Sequence, residues 1–302
     1  MGNRTPAYME AARSGELARR ARWANSQLQD CTLCPWQCHV NRSAGKVGQC
    51  RSGAQARVYA FMAHHGEENP LRGSKGSGTI FFAGCNMHCQ FCQNADISQD
   101  NRGILVDDQQ LAQMMLDLQA QGCHNINLVS PTHVLPQILS ALVPAAREGL
   151  TLPLVYNTGG YDSLESLQIL DGIVDIYLPD MKYTDAAIAQ KYSGIPDYPR
   201  LNQSAVKEMH RQVGDLQLDE KGLAVRGLLV RHLLLPDDLA GTRELMQFLA
   251  AEISTNTYVN IMDQYKPDYH ARDFPELFRL VTRAEVRRAK DWAREAGLTR
   301  LE

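Results

Sequence analysis

From residue 78 onward, short apolar runs alternate with segments whose apolar residues recur at helical spacing. The apolar runs predict six strands, at 78–84, 125–130, 152–158, 174–180, 227–236 and 258–264. The clearest helical pattern follows the first strand, where Leu111, Met114, Met115 and Leu118 lie three or four positions apart. Repeated β-α units with apolar strands indicate a parallel sheet with helices packed against it.

The predicted helices carry ordinary start and stop signals. Asp107 or Asp108 caps the helix that ends at Gly122, and Thr282 with Glu285 forms a capping box for a carboxy-terminal helix. Pro136 must lie in the first turn of its helix, because proline lacks an N–H donor. The remaining helices are predicted at 134–149, 163–170, 184–194, 203–213, 237–253 and up to residue 297.

The first 77 residues follow a different pattern. Residues 7–28 predict one helix, and 31–77 predict an irregular, cysteine-rich segment that ends in the flexible run RGSKGS. We therefore divide the chain into a metal-binding extension (1–77), an α/β domain (78–266) and a carboxy-terminal helical segment (267–302).

Six β-α units are compatible with an open doubly wound sheet or with an incomplete (β/α) barrel, and the pattern alone does not separate them. In both architectures, functional side chains collect at the carboxyl ends of the strands. A loop rich in cysteine, starting at Cys85, follows the first strand directly and therefore lies at such an end.

Composition narrows the class of protein. The 302 residues are 44% hydrophobic, which is typical of a globular core, and carry a net charge of −3. That charge and the lack of a basic, aromatic-rich stripe argue against nucleic acid or an anionic membrane as a partner. No apolar run approaches twenty residues and the amino terminus lacks an apolar run, so we expect neither a membrane span nor a secretory signal.

Eight cysteines in such a chain indicate metal or redox chemistry in a reducing cytoplasm rather than disulfides. Seven of them fall into two tight groups, and Cys123 stands apart as an expected buried, inert thiol. The larger group, with the spacing C-x2-C-x3-C-x11-C, comprises Cys31, Cys34, Cys38 and Cys50.

The smaller group has the spacing C-x3-C-x2-C and comprises Cys85, Cys89 and Cys92. Three thiolates are compatible with a zinc site completed by a distant ligand, with chance burial of thiols, or with a [4Fe–4S] cluster that keeps one iron open. His88 is a poor fourth ligand because it adjoins Cys89, and a solvated or supporting role is expected for it.

The stretch from Gly84 to Cys92, with Phe91 before the third cysteine, resembles the signature loop of the radical S-adenosylmethionine (SAM) superfamily. This resemblance implies a partial (β/α)6 barrel, with SAM on the open iron and Phe91 beside the cofactor. It also implies reductive cleavage of SAM to a 5′-deoxyadenosyl radical that abstracts hydrogen from a substrate. Such one-electron chemistry belongs to the cofactors, which the protein orients and shields.

Further segments at successive strand ends resemble the branch labelled pyruvate formate-lyase activating enzyme-like, namely YNTGGYDS, YLPDMKYTD, VRHLLLP and NIMDQY. The resemblance implies a reductant such as flavodoxin or ferredoxin, and a glycine of a glycyl-radical protein as the substrate. Oxidation or rearrangement of a peptide or a small metabolite is the alternative reaction. A non-catalytic alternative is an iron–sulfur electron carrier or a zinc-stabilised interaction module.

Many members of the superfamily hold the SAM amino group with Gly-Gly-Glu at the end of the second strand. Here that place reads Ser130-Pro131-Thr132-His133. The resemblance then leaves Ser130, Thr132 or backbone carbonyls for this contact. His133 is either a cofactor-binding residue or the cap of the next helix.

Polar residues at the later strand ends complete the predicted site. Asn157 and Thr158 end the third strand, and Asp180 and Lys182 end the fourth in a D-x-K like that of the activating enzymes. Arg231 interrupts an apolar strand, where a lone charge is costly unless it is paired.

We predict catalytic and cofactor-binding roles for Asp180, Lys182 and Arg231, the last reaching either the SAM carboxylate or Asp180. A salt-bridged strand end is the plainer alternative for the D-x-K pair. Gln264 and Tyr265 end the last strand and are weaker candidates.

The four amino-terminal cysteines are enough to close a metal site. Zinc and an auxiliary [4Fe–4S] cluster both accept four thiolates, and similar cysteines in the resembling branch favour iron–sulfur. The stretch His64-His65-Gly66-Glu67-Glu68 is interpreted as a polar loop between the two metal regions, and the arginines of the last helix as a solvated surface.

Overall fold

The computed structural model describes residues 5–302, so the first four residues of the predicted extension lie outside it. Its strands are β1 (Ala56–His64), β2 (Ser77–Phe82), β3 (Ile104–Val106), β4 (Ile126–Val129), β5 (Leu154–Thr158), β6 (Ile176–Pro179), β7 (Gln217–Leu218), β8 (Ala224–Leu233), β9 (Tyr258–Met262) and β10 (Arg300–Leu301). Six of these are the predicted strands, with ends that differ by up to three residues.

The helices fill the intervals between the strands. They are α1 (Tyr8–Arg13), α2 (Glu16–Ser26), α3 (Asn69–Arg72), α4 (Ala95–Ser98), α5 (Asp108–Ala120), α6 (Leu135–Arg147), α7 (Leu164–Leu170), α8 (Ala186–Ser193), α9 (Tyr198–Val213), α10 (Thr242–Phe248) and α11 (Arg283–Glu295). A π turn, Leu249–Ile253, continues α10. The predicted capping box at Thr282 is confirmed, and of the two predicted caps of α5 the structure uses Asp107.

The strands form one sheet in the order β10-β9-β8-β6-β5-β4-β2-β1-β3, and β7 pairs with β8. The six predicted strands are mutually parallel and neighbours in chain order. A doubly wound sheet reverses its strand order at a switch point. The alternative of a doubly wound sheet is therefore wrong.

Helices pack on one face of this sheet. Leu128, Tyr156 and Tyr177 are neighbours across β4, β5 and β6, and they share the main hydrophobic core with buried residues of α2, α5, α6, α9, α10 and α11. Side chains alternate between the faces of a strand. The opposite face therefore carries the other register, which includes Asn157, and this face holds the site described below.

The prediction that 31–77 is irregular is wrong for 56–64, where β1 pairs antiparallel with β2. The pairing is long-range, and the surrounding polar, glycine-rich sequence conceals it. The proposed boundary at residue 77 stays a prediction, although β1 on its amino-terminal side belongs to the same sheet.

The single helix predicted at 7–28 is also wrong, because Gly15 adopts φ 78° and breaks it into α1 and α2. Both pieces pack on α6. The carboxy-terminal segment adds a further correction, since the chain beyond α11 forms β10 beside β9.

None of the helices within 5–302 combines the length and the apolar composition that a membrane crossing requires.

Candidate active site at the carboxyl ends of the strands

The carboxyl ends of the parallel strands surround a cavity of about 250 Å³. Cys85, Cys89 and Cys92 form part of its wall, on the loop that follows β2. The structure brings most of the predicted cofactor-binding residues to the same cavity, namely Phe91, Ser130, Asn157, Thr158, Asp180, Lys182 and Arg231. Of the weaker candidates, Gln264 lines the cavity, whereas Tyr265 packs against Phe91 from behind.

Hydroxyl and amide groups surround the three thiols. Ser193 Oγ donates to Cys89 Sγ over 3.0 Å, and Ser98 Oγ lies 3.1 Å from Cys92 Sγ. The amide of Met87 donates to Cys85 Sγ over 3.4 Å. Hydrogen bonds to sulfur are one of the means by which a protein tunes an iron–sulfur centre.

Burial raises the pKa of Cys85 to about 12, and burial also raises the pKa of Cys89 although the Lys182 ammonium opposes it. The free thiols of Cys85 and Cys89 are therefore protonated at neutral pH, and bound metal would provide the charge that stabilises them as thiolates. Three soft sulfur donors in a short loop fit an iron–sulfur cluster.

His88 does not line this cavity. Its Nδ1 lies 3.2 Å from Gln99 Oε1, and its Nε2 is buried without a hydrogen-bond partner among the described residues. The half-buried ring lines a surface groove beside Trp36, with ring centroids 6.3 Å apart, and its solvated or supporting role stays a prediction.

Asp180, Lys182 and Arg231 form one ion-pair network on the cavity wall. Lys182 Nζ lies 2.6 Å from Asp180 Oδ2, and Arg231 Nε lies 3.0 Å from Asp180 Oδ1. Arg231 also donates to Asn157 Oδ1 over 2.7 Å. The two side chains of the D-x-K pair are only 13% and 16% exposed, so their charges interact with little screening by solvent.

Burial opposes the charged form of each member of this network, but the attraction between the opposite charges is stronger and keeps each side chain charged. The pKa of Asp180 stays below its ordinary value because Arg231 and Lys182 outweigh burial. In the same way, the carboxylate of Asp180 outweighs burial and raises the pKa of Lys182. All three side chains are therefore charged at neutral pH.

A second pair of carboxyl groups reaches this network from the opposite edge of the sheet. Because β1 runs antiparallel to β2, the chain after His64 lies at the amino-terminal edge of the parallel strands. Glu67 is 8% exposed and lies 3.9 Å from Arg231 Nη1, and Glu68 accepts from Asn260 over 2.9 Å. Both glutamates lie in the loop between β1 and α3, as interpreted, but their burial was not predicted and follows from the unpredicted strand β1.

Burial, together with Glu68 and Asp180, raises the pKa of Glu67 from 4.5 to about 7 against the opposing charge of Arg231. The folded protein then binds more protons than the unfolded chain between these two values, so stability falls as pH rises from about 4.5 to 7. We expect Glu67→Gln to flatten this slope, because the amide does not titrate. Chemical denaturation across this pH range measures it.

The matched control is Glu252→Gln, which removes an exposed surface carboxylate paired with Lys207. Relative to wild type, Glu67→Gln gains stability between pH 5 and 8, whereas Glu252→Gln does not. Parallel pH profiles for wild type and Glu67→Gln would contradict the placement of this carboxyl group.

The residues of the segment that replaces Gly-Gly-Glu, 130–133, lie in different surroundings. Ser130 lines the cavity with φ 57°, a left-handed conformation that few residues other than glycine adopt. Thr132 donates to Asp162 over 2.7 Å and is buried. His133 Nε2 lies 2.9 Å from the carbonyl of Ala83, and its ring lines the cavity of the amino-terminal cysteines instead.

Neither Thr132 nor His133 lines the cavity of Cys85, and their contact with the cofactor stays a prediction. The alternative of a helix cap is wrong for His133, because it lies inside a 3-10 turn without a capping bond. Burial lowers the pKa of His133 to about 4, so its ring is neutral. The turn reverses the direction of the chain after Ser130, which sequence alone does not show.

Asp162 is a functional candidate that sequence reasoning missed. It is buried and accepts hydrogen bonds from Thr132, Tyr156 and Thr158. Burial raises its pKa, and these three hydroxyl groups oppose that shift. Asp162 thereby fixes Thr158 on the cavity wall. Its only sequence signal is an acidic residue shortly after a strand end.

The structure also brings Cys31, Cys34, Cys38 and Cys50 together around one cavity. Cys123, by contrast, lies in the main core, buried as predicted. Within 5–302, no group of three or more His, Cys, Asp or Glu side chains is close enough together to hold a single metal ion.

Comparison with known proteins identifies the region around Cys85. Residues 72–177 match the family described as a 4Fe-4S single cluster domain. The predicted [4Fe–4S] cluster is thus confirmed as a property of this region. The matched residues do not include the amino-terminal cysteines.

Among complete proteins, the chain is similar to the uncharacterized protein MJ0674 of Methanocaldococcus jannaschii, with 29% identity over 300 residues that cover 96% of this chain and 82% of the relative. Two solved structures are also partly similar to the chain. SuiB of Streptococcus suis, bound to the precursor peptide SuiA, matches with 12% identity and TM-score 0.48, over 70% of this chain and 43% of that one. A radical SAM methyltransferase from Sphaerobacter thermophilus matches with 13% identity and TM-score 0.49, over 74% of this chain and 65% of that one. The chain therefore spans less than two thirds of either solved chain.

Proposed function

We propose that this protein is a radical SAM enzyme. The observation that carries the proposal is the meeting of three cysteines of an iron–sulfur domain with a polar, charged cavity at the carboxyl ends of parallel strands. Cys85, Cys89 and Cys92 would hold the [4Fe–4S] cluster and leave one iron for SAM. Together, the bound cluster and SAM supply a one-electron cleavage that yields a 5′-deoxyadenosyl radical.

The cavity wall offers groups that suit a zwitterionic amino acid. The Lys182 ammonium has three N–H donors, and its contact with Asp180 takes one of them. Ser130 adds a hydroxyl group on the same wall, whereas the hydroxyl of Thr158 already donates to Asp162. We assign the Arg231 guanidinium to Asp180 and Asn157 rather than to the SAM carboxylate, because those bonds already orient it.

The sheet supports the finer fold assignment. Six parallel strands in chain order, with helices on one face and a polar cavity on the other, support the proposal of an incomplete (β/α)6 barrel. The eight cysteines are unpaired, in keeping with a reducing compartment. A one-electron donor such as flavodoxin or ferredoxin is the partner that this chemistry requires.

The Asp180-Met181-Lys182 motif supports, as a narrower proposal, the activation of a glycyl-radical protein. Oxidation or rearrangement of a peptide or metabolite remains the alternative reaction for the same site.

The test uses anaerobically reconstituted full-length protein, a one-electron reductant and SAM. We expect 5′-deoxyadenosine and methionine to form only when reductant is present. A glycyl electron-spin signal in an added glycyl-radical protein would support the activase proposal, and product formation with small metabolites alone would reject it. If about four irons bind per signature loop and no 5′-deoxyadenosine forms, the protein is an electron carrier and the enzyme proposal fails.

A further inference from the structure

The amino-terminal cysteines are held by a folded loop. Cys31 donates its amide to Val40 O over 3.1 Å and accepts from the His39 amide over 3.1 Å. Gln37 and His39 adopt φ of 41° and 51°, conformations that side chains other than glycine seldom take. Strained backbone of this kind persists where the surroundings fix it, and here it directs several thiols toward one cavity.

Glycine is required where the loop closes. A Cβ added at Gly48 would lie 2.6 Å from Cys38 Sγ. The backbone thus approaches this thiol more closely than any other residue type would allow.

Arg42 shows that the cavity suits an anion. Its side chain is 1% exposed and donates to the carbonyls of Gly53 and His133, and its Nη1 lies 3.8 Å from Cys31 Sγ. No carboxylate within residues 5–302 pairs with it at salt-bridge distance. A buried guanidinium needs a compensating charge, and four metal-bound thiolates supply one.

A cluster suits this position better than zinc. Zinc and a [4Fe–4S] cluster both accept four thiolates, but zinc has no redox chemistry. The cavity adjoins the loop of Cys85, which lies in the region that matches a 4Fe-4S single cluster domain, so an occupant that carries electrons is favoured.

The loops that carry the two cysteine sets are in contact. A Cβ added at Gly84, the residue before Cys85, would lie 2.6 Å from the carbonyl oxygen of Cys50. Trp36 donates its indole N–H to the carbonyl of Asn86 over 2.7 Å. Cys38 also lines an open surface groove with Val47, which is 52% exposed. Electron transfer weakens steeply with distance, so this contact gives a short route from the surface to the catalytic loop.

We propose that Cys31, Cys34, Cys38 and Cys50 hold a second [4Fe–4S] cluster that passes electrons to the cluster of Cys85, Cys89 and Cys92. An external one-electron donor reduces the second cluster from the 2+ to the 1+ state. That cluster returns to 2+ as it reduces the catalytic cluster by one electron, and no group or proton is transferred. The relay, though not the second cluster itself, rests on the proposed function.

Metal analysis tests the second cluster. We expect about eight irons per reconstituted wild-type chain, and about four in the variant with all four amino-terminal cysteines changed to alanine. The variant with Cys85→Ala, Cys89→Ala and Cys92→Ala should keep about four irons and a SAM-insensitive spectrum. If the wild type binds four irons and one zinc, the four amino-terminal cysteines hold zinc and the proposal of a second cluster fails. If it binds four irons and no zinc, these cysteines hold no metal at all.

Two spectroscopic measurements test the relay independently of turnover. The electron-spin spectrum of the fully reduced wild type should show magnetic coupling, so that it differs from the sum of the two cysteine variants. Reduction of the catalytic cluster by dithionite should be at least about tenfold slower in the amino-terminal variant. An additive spectrum or an unchanged rate would overturn the relay. Coupled clusters with no SAM cleavage would instead reject the proposed function alone.

The amino-terminal variant carries four changes, so its fold must be checked. Cys38→Ser is the milder variant, because Cys38 is the most exposed of the four. It should also bind about four irons fewer or show an altered cluster spectrum while its circular dichroism stays that of the wild type. A folded Cys38→Ser protein with unchanged iron and spectrum would overturn the assignment of Cys38 as a ligand.

Discussion

Cys89→Ala is expected to lose about four irons per chain and all reductive cleavage of SAM. Cys89 Sγ is buried and accepts from Ser193, so no other sulfur takes its place when it is removed. Iron and sulfide analysis of anaerobically reconstituted protein, followed by assay of 5′-deoxyadenosine, measures both effects.

Cys123→Ala is the matched control, because it removes a buried thiol from the main core that lines neither of the two cysteine cavities. It should lower stability slightly and leave the iron content and the cleavage of SAM unchanged. Cys89→Ala protein that retains its full iron content would show that the catalytic cluster lies elsewhere.

Arg231→Met is expected to lower the free energy of unfolding by about 3–5 kcal/mol, because removing one partner leaves buried charge uncompensated. The arginine pairs with Asp180 and lies 3.9 Å from Glu67, and these side chains are 13% and 8% exposed. Denaturant unfolding at pH 8, where Glu67 is largely ionised, measures the loss.

Two further variants test whether uncompensated buried charge causes this loss of stability. Arg211→Met removes a 57% exposed arginine from surface pairs with Asp171 and Glu208, so it should cost no more than about 1 kcal/mol. Adding Asp180→Asn to Arg231→Met should restore part of the lost stability, because the amide carries no charge. Equal losses for the two arginine variants would contradict a buried network.

The strands of the site were predictable because their apolar runs are short, regular and bounded by turn residues. Parallel strands place their carboxyl ends at one edge, so the meeting of Cys85, Asn157, Asp180 and Arg231 followed from chain order. The helix caps were predictable because they depend on nearby residues: the side chains of Asp107 and Thr282 accept hydrogen bonds from backbone amides three residues away.

The errors arose where distant parts of the chain meet. Strand β1 is defined by its pairing with β2, and the polar sequence around it gives little local signal. Because β1 was not predicted, the position of Glu67 close to Arg231 was not predicted either. The position of His133 was not predicted for a similar reason, because after the turn that follows Ser130 this residue lies at the cavity of the amino-terminal cysteines. Such positions depend on tertiary packing, which periodicity does not encode.

The most direct test of the central claim is the electron-spin spectrum of the reduced Cys85 cluster with and without SAM. The variant that lacks the four amino-terminal cysteines isolates this signal. The radical SAM proposal predicts that adding SAM shifts the signal, because SAM occupies the iron that no cysteine holds. A reduced cluster whose spectrum is identical with and without SAM would contradict the proposal.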